Sequence, residues 1–291
     1  SDNTGLGVAM VAVSGFEKTK TLLFRIVAPE SNGFALEGDF VDKVCTPERP
    51  FAGVPGIRLV DRDGAALDPS GYEIGYVGAE RSGSVTAYAR ITSGQYAGTV
   101  VPRAFTLRLL PSGYQLLDSL EFNGTQYFDT GVIPEQDPGY ELDFRYYTTT
   151  YVNDGHVFGT VNNYSQAFWT EYDNAYNWGG PATAAGGDYA PWEQKVHTVV
   201  YNRVGDNAVV LDGLVLQDNG VEHYATASVL IGRRGSKSTF KGYVYSFEIV
   251  NHLSEKRVID YLPVRRLDDD AVGFYDFAND AFRLPAAGTV S

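Results

Sequence analysis

The sequence predicts an all-β protein built from two successive β-sandwich regions. Apolar and polar residues alternate along most of the chain, which is typical of half-buried strands. The 20 Tyr and 16 Phe residues favour strands, while the 32 Gly and 13 Pro residues favour turns. At 291 residues the chain is longer than one typical domain, so two domains are expected.

Alternation marks the strands, and Asp-Gly pairs mark the turns between them. The clearest strand patterns cover residues 85–91, 140–147, 197–204, 207–213 and 242–250. Asp212-Gly213 predicts a hairpin turn, and a second Asp-Gly turn is predicted within residues 61–68. The one helical candidate is 253–262, with Ser254 as its N-cap and Pro263 as its stop.

The charge balance limits the classes of partner. Lys and Arg number 23 against 36 Asp and Glu, giving a net charge of −13 that repels nucleic acid and anionic membranes. No apolar run approaches the roughly 18 residues of a membrane span, so no direct membrane insertion is expected. The single cysteine, Cys45, cannot form an intrachain disulfide. No signal pattern opens the chain, which favours a mature or excised piece.

Residues 7–26 align with residues 84–107 as two strands around a polar turn. The second copy has Gly94, Tyr96, Gly98, Thr99 and Phe105, with Tyr72 and Tyr76 upstream. This pattern resembles the short bacterial Ig-like repeats of surface proteins. The resemblance implies that residues 1–29 end a preceding repeat and that 30–110 form an Ig-like domain. Alternatively, residues 1–109 form one larger sandwich, and the repeat is two similar hairpins. The linker is predicted at 110–117, where Pro, Ser and Gly interrupt the strands.

Beyond this linker the chain resembles a concanavalin A-like (laminin G-like) lectin/glucanase module. The matching segments are 119–132, 196–202, 209–216, 228–234 and 240–250. The tail 258–284 resembles the end of such modules on surface proteins of gut-type bacteria, through Asp260, Pro263, Val264, Arg265, Arg266, Gly273, Tyr275, Asp276, Asn279 and Phe282. The resemblance implies a jelly-roll β-sandwich over 111–291, an extracellular or cell-surface location, and neighbouring domains in a longer chain.

Glu141 and Asp143 resemble the start of E-x-D-x-x-E, the catalytic strand of β-glucan hydrolases. The family places its second Glu four or five residues after the first, where this chain has Arg145 and Tyr146. Neither side chain is a useful proton donor, since the pKa of arginine exceeds about 12 and that of tyrosine is about 10. The strand therefore predicts one buried and one solvated face, and the protein is expected not to be an enzyme.

A sugar site is predicted where the three tryptophans of the chain lie. Aromatic faces cover the C–H faces of sugars, and nearby amides bind the hydroxyl groups. The predicted carbohydrate-binding residues are Trp178, Trp169, Tyr172, Tyr176, Trp192, Tyr189, Asn162, Asn163 and Asn177, with Trp178 the first choice. The alternative is that alternate residues here fill the core, with Phe168 and Thr170 on one face and Trp169 on the other.

No cofactor is required by this interpretation. The acidic run at 267–272 could hold a cation or form a solvated turn, and the laminin G-like resemblance implies a possible calcium ion. Three functions follow from the sequence. The favoured one is non-catalytic binding of a glycan or glycoprotein in adhesion. The others are a glycan-processing hydrolase with an unrecognised site and a structural or protein-partner module.

Overall fold

The computed structural model describes most of the chain from residue 33 onward. The residues described with their side chains are 33–133, 140–149, 156–160, 194–201, 210–215, 227–233, 240–251, 254 and 256–290. Only the backbone is described for the strand residues 6–9, 22–25, 168–171, 175–178, 183–184, 208–209 and 216–218. Two compact units result, Ser1–Leu109 and Leu110–Ser291. Strands account for 56% of the residues and helix for 2%, so the predicted all-β class is confirmed.

The first unit contains eight described strands and a short 3₁₀ helix, Pro69–Gly71. The strands are β1 (Leu6–Ala9), β2 (Leu22–Arg25), β3 (Ala35–Glu37), β4 (Lys43–Cys45), β5 (Arg58–Val60), β6 (Tyr72–Val77), β7 (Gly83–Ile91) and β8 (Val100–Leu109). Strands β6, β7 and β8 form an antiparallel meander, to which β4 adds in parallel beside β8. Strand β3 pairs with β5, and β1 pairs with β2.

One core joins the β3–β5 pair to the sheet of β4, β6, β7 and β8. Leu36 and Leu59, from the β3–β5 pair, pack with alternate residues of β7 and with Phe105 of β8. The ring of Phe105 lies 6.5 Å from that of Tyr76, centroid to centroid. The hydroxyl of Tyr76 accepts a hydrogen bond from the backbone N–H of Val54 at 2.9 Å. Tyr76 therefore ties a loop to the sheet while its ring fills the core.

The two segments that align in sequence both form antiparallel hairpins, β1–β2 and β7–β8. In the second hairpin Gly94 and Gly98 adopt φ values of +78° and +92°. The N–H of Gly98 donates to the carbonyl of Ile91 at 2.8 Å, which closes the turn. The assignment of residues 1–29 to a preceding repeat stays a prediction.

Both predicted Asp-Gly turns are confirmed. In the first, the Asp61 carboxylate accepts the N–H groups of Asp63 and Ala65, each at 2.9 Å. In the second, Asp212 and Gly213 have φ values of +50° and +85° between two paired strands. Consecutive positive φ values match the twist of a two-residue hairpin.

The second unit contains sixteen described strands. They are β9 (Tyr114–Leu116), β10 (Leu120–Asn123), β11 (Phe128–Asp129), β12 (Tyr140–Thr148), β13 (His156–Gly159), β14 (Phe168–Glu171), β15 (Ala175–Trp178), β16 (Thr183–Ala184), β17 (Val196–Tyr201), β18 (Ala208–Leu211), β19 (Leu214–Asp218), β20 (Leu230–Ile231), β21 (Lys241–Asn251), β22 (Lys256–Arg266), β23 (Val272–Asp276) and β24 (Ala281–Arg283).

These strands form two antiparallel sheets. The ten-stranded sheet has the order β19-β18-β17-β12-β21-β22-β23-β24, with β10 beside β21 and β9 beside β22. The six-stranded sheet has the order β11-β20-β13-β14-β15-β16. Ring contacts cross between the sheets, from Phe144 to Phe158 at 5.1 Å and from Phe274 to Phe128 at 4.7 Å. One buried cluster draws on both sheets, so the unit is a β-sandwich.

The predicted helix at 253–262 is wrong, because most of this segment belongs to strand β22. Ser254 lies in the turn before the strand, where its N–H donates to the side-chain oxygen of Asn251 at 3.0 Å. The pairing with β21 shifts register so that Ile249 is opposite Ile259 while Val250 is opposite Arg257. This bulge leaves one extra residue in β22. It breaks the strict alternation that would have identified a strand from sequence.

Pro263, predicted to stop a helix, instead lies inside strand β22 of the sheet. Strand β22 pairs with β21 up to Tyr261 and with β9 from Val264 onward. Pro263 occupies the changeover, and its carbonyl accepts the N–H of Leu117 at 2.9 Å. In an antiparallel strand the N–H and C=O of one residue point to the same side. The missing N–H of Pro263 therefore faces Leu117, and regular pairing with β9 resumes at Val264.

The tail motif forms a tightly packed hairpin of β23 and β24. The fully buried Asp276 carboxylate accepts from the side-chain amide of Asn279 at 2.8 Å and from the N–H of Ala278 at 3.2 Å. Burial nevertheless raises the pKa of Asp276. On the other face of the sheet the rings of Tyr275 and Phe282 are paired across the strands. These residues of the tail motif therefore have structural roles.

Gly273→Ala should destabilise the second unit by about 2 kcal/mol or more, because the new Cβ would lie closer than 3.0 Å to the carbonyl oxygen of Arg283. The matched control is Gly71→Ala, whose Cβ meets only the Ser93 hydroxyl at 3.6 Å. Thermal melts followed by circular dichroism compare the two variants. Equal melting temperatures for both would contradict the close packing of β23 against β24.

Alkaline pH should destabilise the second unit through Tyr261. Burial, together with the negative charge of Asp276, raises the pKa of Tyr261 to about 12. The unfolded phenol titrates near pH 10, so its contribution to stability is complete below pH 10 and is lost between about pH 10 and 12. Wild type should lose on the order of 2 kcal/mol more than Tyr261→Phe over this range.

Urea unfolding followed by tryptophan fluorescence measures this difference, since all three tryptophans lie in the second unit. Parallel pH profiles for the two proteins would contradict it.

Candidate functional site

The predicted tryptophan cluster lies mostly beyond the described side chains. Trp169 belongs to β14, and Tyr176, Asn177 and Trp178 belong to β15, of which only the backbone is described. The remaining predicted residues lie outside the described residues: Asn162, Asn163, Tyr172, Tyr189 and Trp192. The sugar site predicted here stays a prediction.

The backbone register nevertheless separates the two central tryptophan positions. Position 169 is directly opposite 177, and position 178 is directly opposite 168. Because neighbouring residues of a strand belong to opposite faces, positions 169 and 178 fall on different faces of the sheet. Position 170, which shares the face of 168 and 178, is opposite Phe158 of the core. Position 169 therefore takes the face away from Phe158.

Strand β12 has the predicted division into a buried and a solvated face. Leu142, Phe144 and Tyr146 are completely buried. Arg145 is exposed, and Glu141 is half-buried on the same outer face. Alternation along the strand is unbroken through Tyr146, so this residue stays in the core. The position where the hydrolase pattern with a bulge would place its second carboxylate is thus closed to substrate.

A bulge in the neighbouring strand brings a group of tyrosines onto this outer face. Arg145 is opposite Ser246 and Tyr146 is opposite Val244, so Tyr245 is the extra residue in β21. The guanidinium of Arg145 lies 5.4 Å from the ring centroid of Tyr245. One step further along the sheet Tyr147 is directly opposite Tyr243, with ring centroids 6.1 Å apart. We call these four residues, Arg145, Tyr147, Tyr243 and Tyr245, the tyrosine face.

The side chains of the tyrosine face remain accessible. All three of its tyrosines are half-buried, and Val196, opposite Tyr147, is 38% exposed. Sequence reasoning missed this surface because its members come from two strands almost a hundred residues apart. The one local signal was the spacing of Tyr243 and Tyr245, which places two rings at alternate positions of a predicted strand.

The outer face also carries carboxylates that the sequence did not group. Asp143 of β12 is directly opposite Glu248 of β21, and Glu248 is opposite Asp260 of β22, which is buried. Glu248 forms an ion pair with Arg257 at 2.9 Å. The Glu248 carboxylate is therefore held by a cation of the neighbouring strand.

The acidic run at 267–272 is engaged by arginines. Arg266 binds Asp269 through two nitrogen–oxygen contacts of 3.0 and 2.6 Å, and this ion pair lowers the pKa of Asp269. Arg266 also approaches Asp268 at 3.2 Å. Within the described ranges no group of three or more His, Cys, Asp or Glu side chains is arranged to hold a metal ion.

His197 is a buried histidine of the second unit that contacts a carboxylate. It is 1% exposed, and its Nδ1 lies 3.0 Å from the carboxylate of Asp212. The same carboxylate accepts the backbone N–H of Thr198 at 2.9 Å. This pair fixes the hairpin turn at Asp212 to strand β17, which is a structural role.

Comparisons with known proteins give two distant structural similarities. One is to a suspected carbohydrate-binding protein from Bacteroides ovatus, with 10% identity, a TM-score of 0.41, and coverage of 89% of this chain and 86% of that one. The other is to a lipoprotein from Bacteroides thetaiotaomicron, with 15% identity, a TM-score of 0.21, and coverage of 72% and 98%. No family model and no curated protein matches the chain. Similarity at these levels assigns neither a family nor a function.

No helix in the described parts of the chain has the length and apolarity needed to cross a membrane.

The purified protein should leave β-glucans and mucin-type glycans intact over long incubation, because β12 carries Arg145 and Tyr146 where the hydrolase pattern places its second carboxylate. Reducing-end assays and mass spectrometry of the glycans measure this. Hydrolysis that disappears in Glu141→Gln, or in Asp143→Asn, would show that these carboxylates are catalytic.

Proposed function

We propose that the chain is a non-catalytic carbohydrate-binding segment of a bacterial cell-surface or secreted protein, acting in adhesion. The observation that carries this proposal is the tyrosine face on the outer side of the ten-stranded sheet. Three half-buried rings lie there beside an arginine, and Asp143 lies on the same face. The resemblance of the tail 258–284 to modules of bacterial surface proteins supports the location.

The tyrosine face has the chemistry that a sugar requires. The ring faces of Tyr147 and Tyr243 offer apolar surface to the C–H groups of a pyranose. Tyrosine hydroxyls, the Asp143 carboxylate and the Arg145 guanidinium offer acceptors and donors for sugar hydroxyls. The antiparallel pairing of β12 and β21 holds these groups on a rigid sheet, so little conformational entropy is lost on binding.

Binding to a single copy is expected to be weak. A mono- or disaccharide offers few atoms to offset the loss of translational and rotational freedom on association. Useful avidity would arise from several modules along a longer chain or from several chains on one cell. The proposed ligand is therefore a glycan or glycoprotein that presents repeated epitopes.

The tryptophan cluster is the second candidate surface for the same function. The strand register favours position 169 over position 178 for a ring on the outer side of the six-stranded sheet, since 178 shares the face of Phe158. Trp178 was the first choice from the sequence alone. The two candidate surfaces belong to different sheets, so substitutions separate them.

Tyr147→Ala and Tyr243→Ala should each weaken glycan binding about five- to tenfold, because a ring contact contributes on the order of 1 kcal/mol beyond its buried area. A glycan array identifies ligands, and titration of the best one measures affinity. The matched control is Tyr96→Ala, which removes a 39% exposed tyrosine from the first unit.

Trp169→Ala and Trp178→Ala complete the series, with thermal melting as the check on folding. Loss of binding in Trp169→Ala alone would move the site to the six-stranded sheet. Loss in Trp178→Ala with an intact fold would support the original sequence prediction. The absence of any glycan ligand on the array would contradict the proposed function.

A further inference from the structure

Arginines that are shielded from solvent in this acidic chain form ion pairs, with one exception. Four described arginines are buried or half-buried: Arg108, Arg233, Arg257 and Arg266. Three of them have carboxylate partners at 2.6 to 3.0 Å, in the pairs Arg108–Asp42, Arg257–Glu248 and Arg266–Asp269. Among the described residues no carboxylate forms an ion pair with Arg233. The chain has 36 Asp and Glu against 23 Lys and Arg, so this exception is not due to a shortage of acids.

Arg233 is held by an aromatic ring. Its Cζ lies 4.4 Å from the ring centroid of Tyr127. Its Nε is enclosed and has no hydrogen-bond partner in the described part of the chain. A cation–π contact attracts the charge but satisfies none of the five N–H donors of the guanidinium. Part of this guanidinium is shielded with no counter-ion among the described residues, which is unfavourable, so an anionic group from outside the chain would complete this arrangement.

The backbone fixes both members of the pair. Tyr127 precedes the core residue Phe128, and its carbonyl accepts the N–H of Ala286 at 2.8 Å. Gly232, which precedes Arg233, donates to the carbonyl of Val157 at 2.7 Å and has a φ of +88°. A Cβ at Gly232 would lie closer than 3.0 Å to the ring of Phe122. The direction of the chain entering Arg233 is therefore set by close packing.

We propose that Arg233 and Tyr127 form an anion-binding site for the charged group of an acidic sugar, either a carboxylate or a sulfate ester. This proposal rests on the proposed carbohydrate function and specifies the class of glycan. A guanidinium binds either oxyanion through two parallel N–H···O hydrogen bonds, which the point charge of a lysine cannot reproduce. The net charge of −13 repels anions at long range, but salt screens that repulsion beyond about 8 Å.

The test uses the full chain and three matched sugars: glucuronate, glucose 6-sulfate and glucose. Ligand-observed NMR titration measures each dissociation constant. At least one charged sugar should bind about tenfold more tightly than glucose, and added salt should reduce the difference. Comparison of glucuronate with glucose 6-sulfate identifies which anionic group the site takes.

Arg233→Gln should abolish the preference for the charged sugar, and Arg233→Lys should restore only part of it. The matched control is Arg103→Gln in the first unit, where the guanidinium also lies over a ring, 4.3 Å from the centroid of Phe40. This control should keep the preference. Thermal melts of all variants exclude unfolding as the cause.

Equal affinity for glucose and both charged sugars, or a preference that survives Arg233→Gln, would overturn the anion site. Neutral glycans that bind through Tyr147 and Tyr243 would leave the proposed function intact in that case. Binding of no sugar of any kind would instead contradict the proposed function. The two failures are therefore distinguishable.

Discussion

The contact between Phe144 and Phe158 determines what the second unit presents to solvent. These two completely buried rings, 5.1 Å apart, come from different sheets of the sandwich. Once Phe144 points inward, the period of two along a strand directs Asp143 and Arg145 outward. A slip of one residue would bury those charges and expose the core. The packing requirement of the core therefore fixes the polar surface on the other side of β12.

The bulge at Tyr245 adds a second constraint to this surface. Without it, Val244 and Phe247 could not both face the core, since an odd number of steps separates them. Because of the extra residue, both Val244 and Phe247 point into the core, and the Tyr245 ring lies on the outer face beside Arg145. Bulges often re-aim side chains beside functional sites. Core packing and the aromatic outer surface thus arise from the same irregularity in the pairing of β12 with β21.

The sequence predicted strands and turns correctly where these elements depend only on short segments. Alternation identified β12, and the Asp-Gly pairs identified two turns, because period and turn geometry are properties of short segments. The segment 253–262 was mistaken for a helix because a bulge breaks its alternation, and Pro263 was mistaken for a stop. Pro263 lies where β22 changes its partner from β21 to β9. The local sequence does not contain this information about neighbouring strands.

The candidate site was harder to predict for the same reason. Tyr147 and Tyr243 meet only through strand pairing, and the lack of a carboxylate partner for Arg233 among the described residues is visible only in the folded chain. The tryptophan cluster, by contrast, is predicted from the sequence alone because its residues are close in sequence. Local density of aromatic residues predicts where rings are, but the pairing of strands decides which of them share an open face.

A crystal structure of the chain with a bound oligosaccharide, chosen from the best array ligand, tests the central claim most directly. The account predicts an intact oligosaccharide with a sugar ring against Tyr147 or Tyr243 and no proton-donating carboxylate at a glycosidic oxygen. A cleaved product beside Asp143 and Glu248 would contradict the claim that this surface binds glycans without catalysis. A sugar bound only away from the tyrosine face would contradict the assignment of the site.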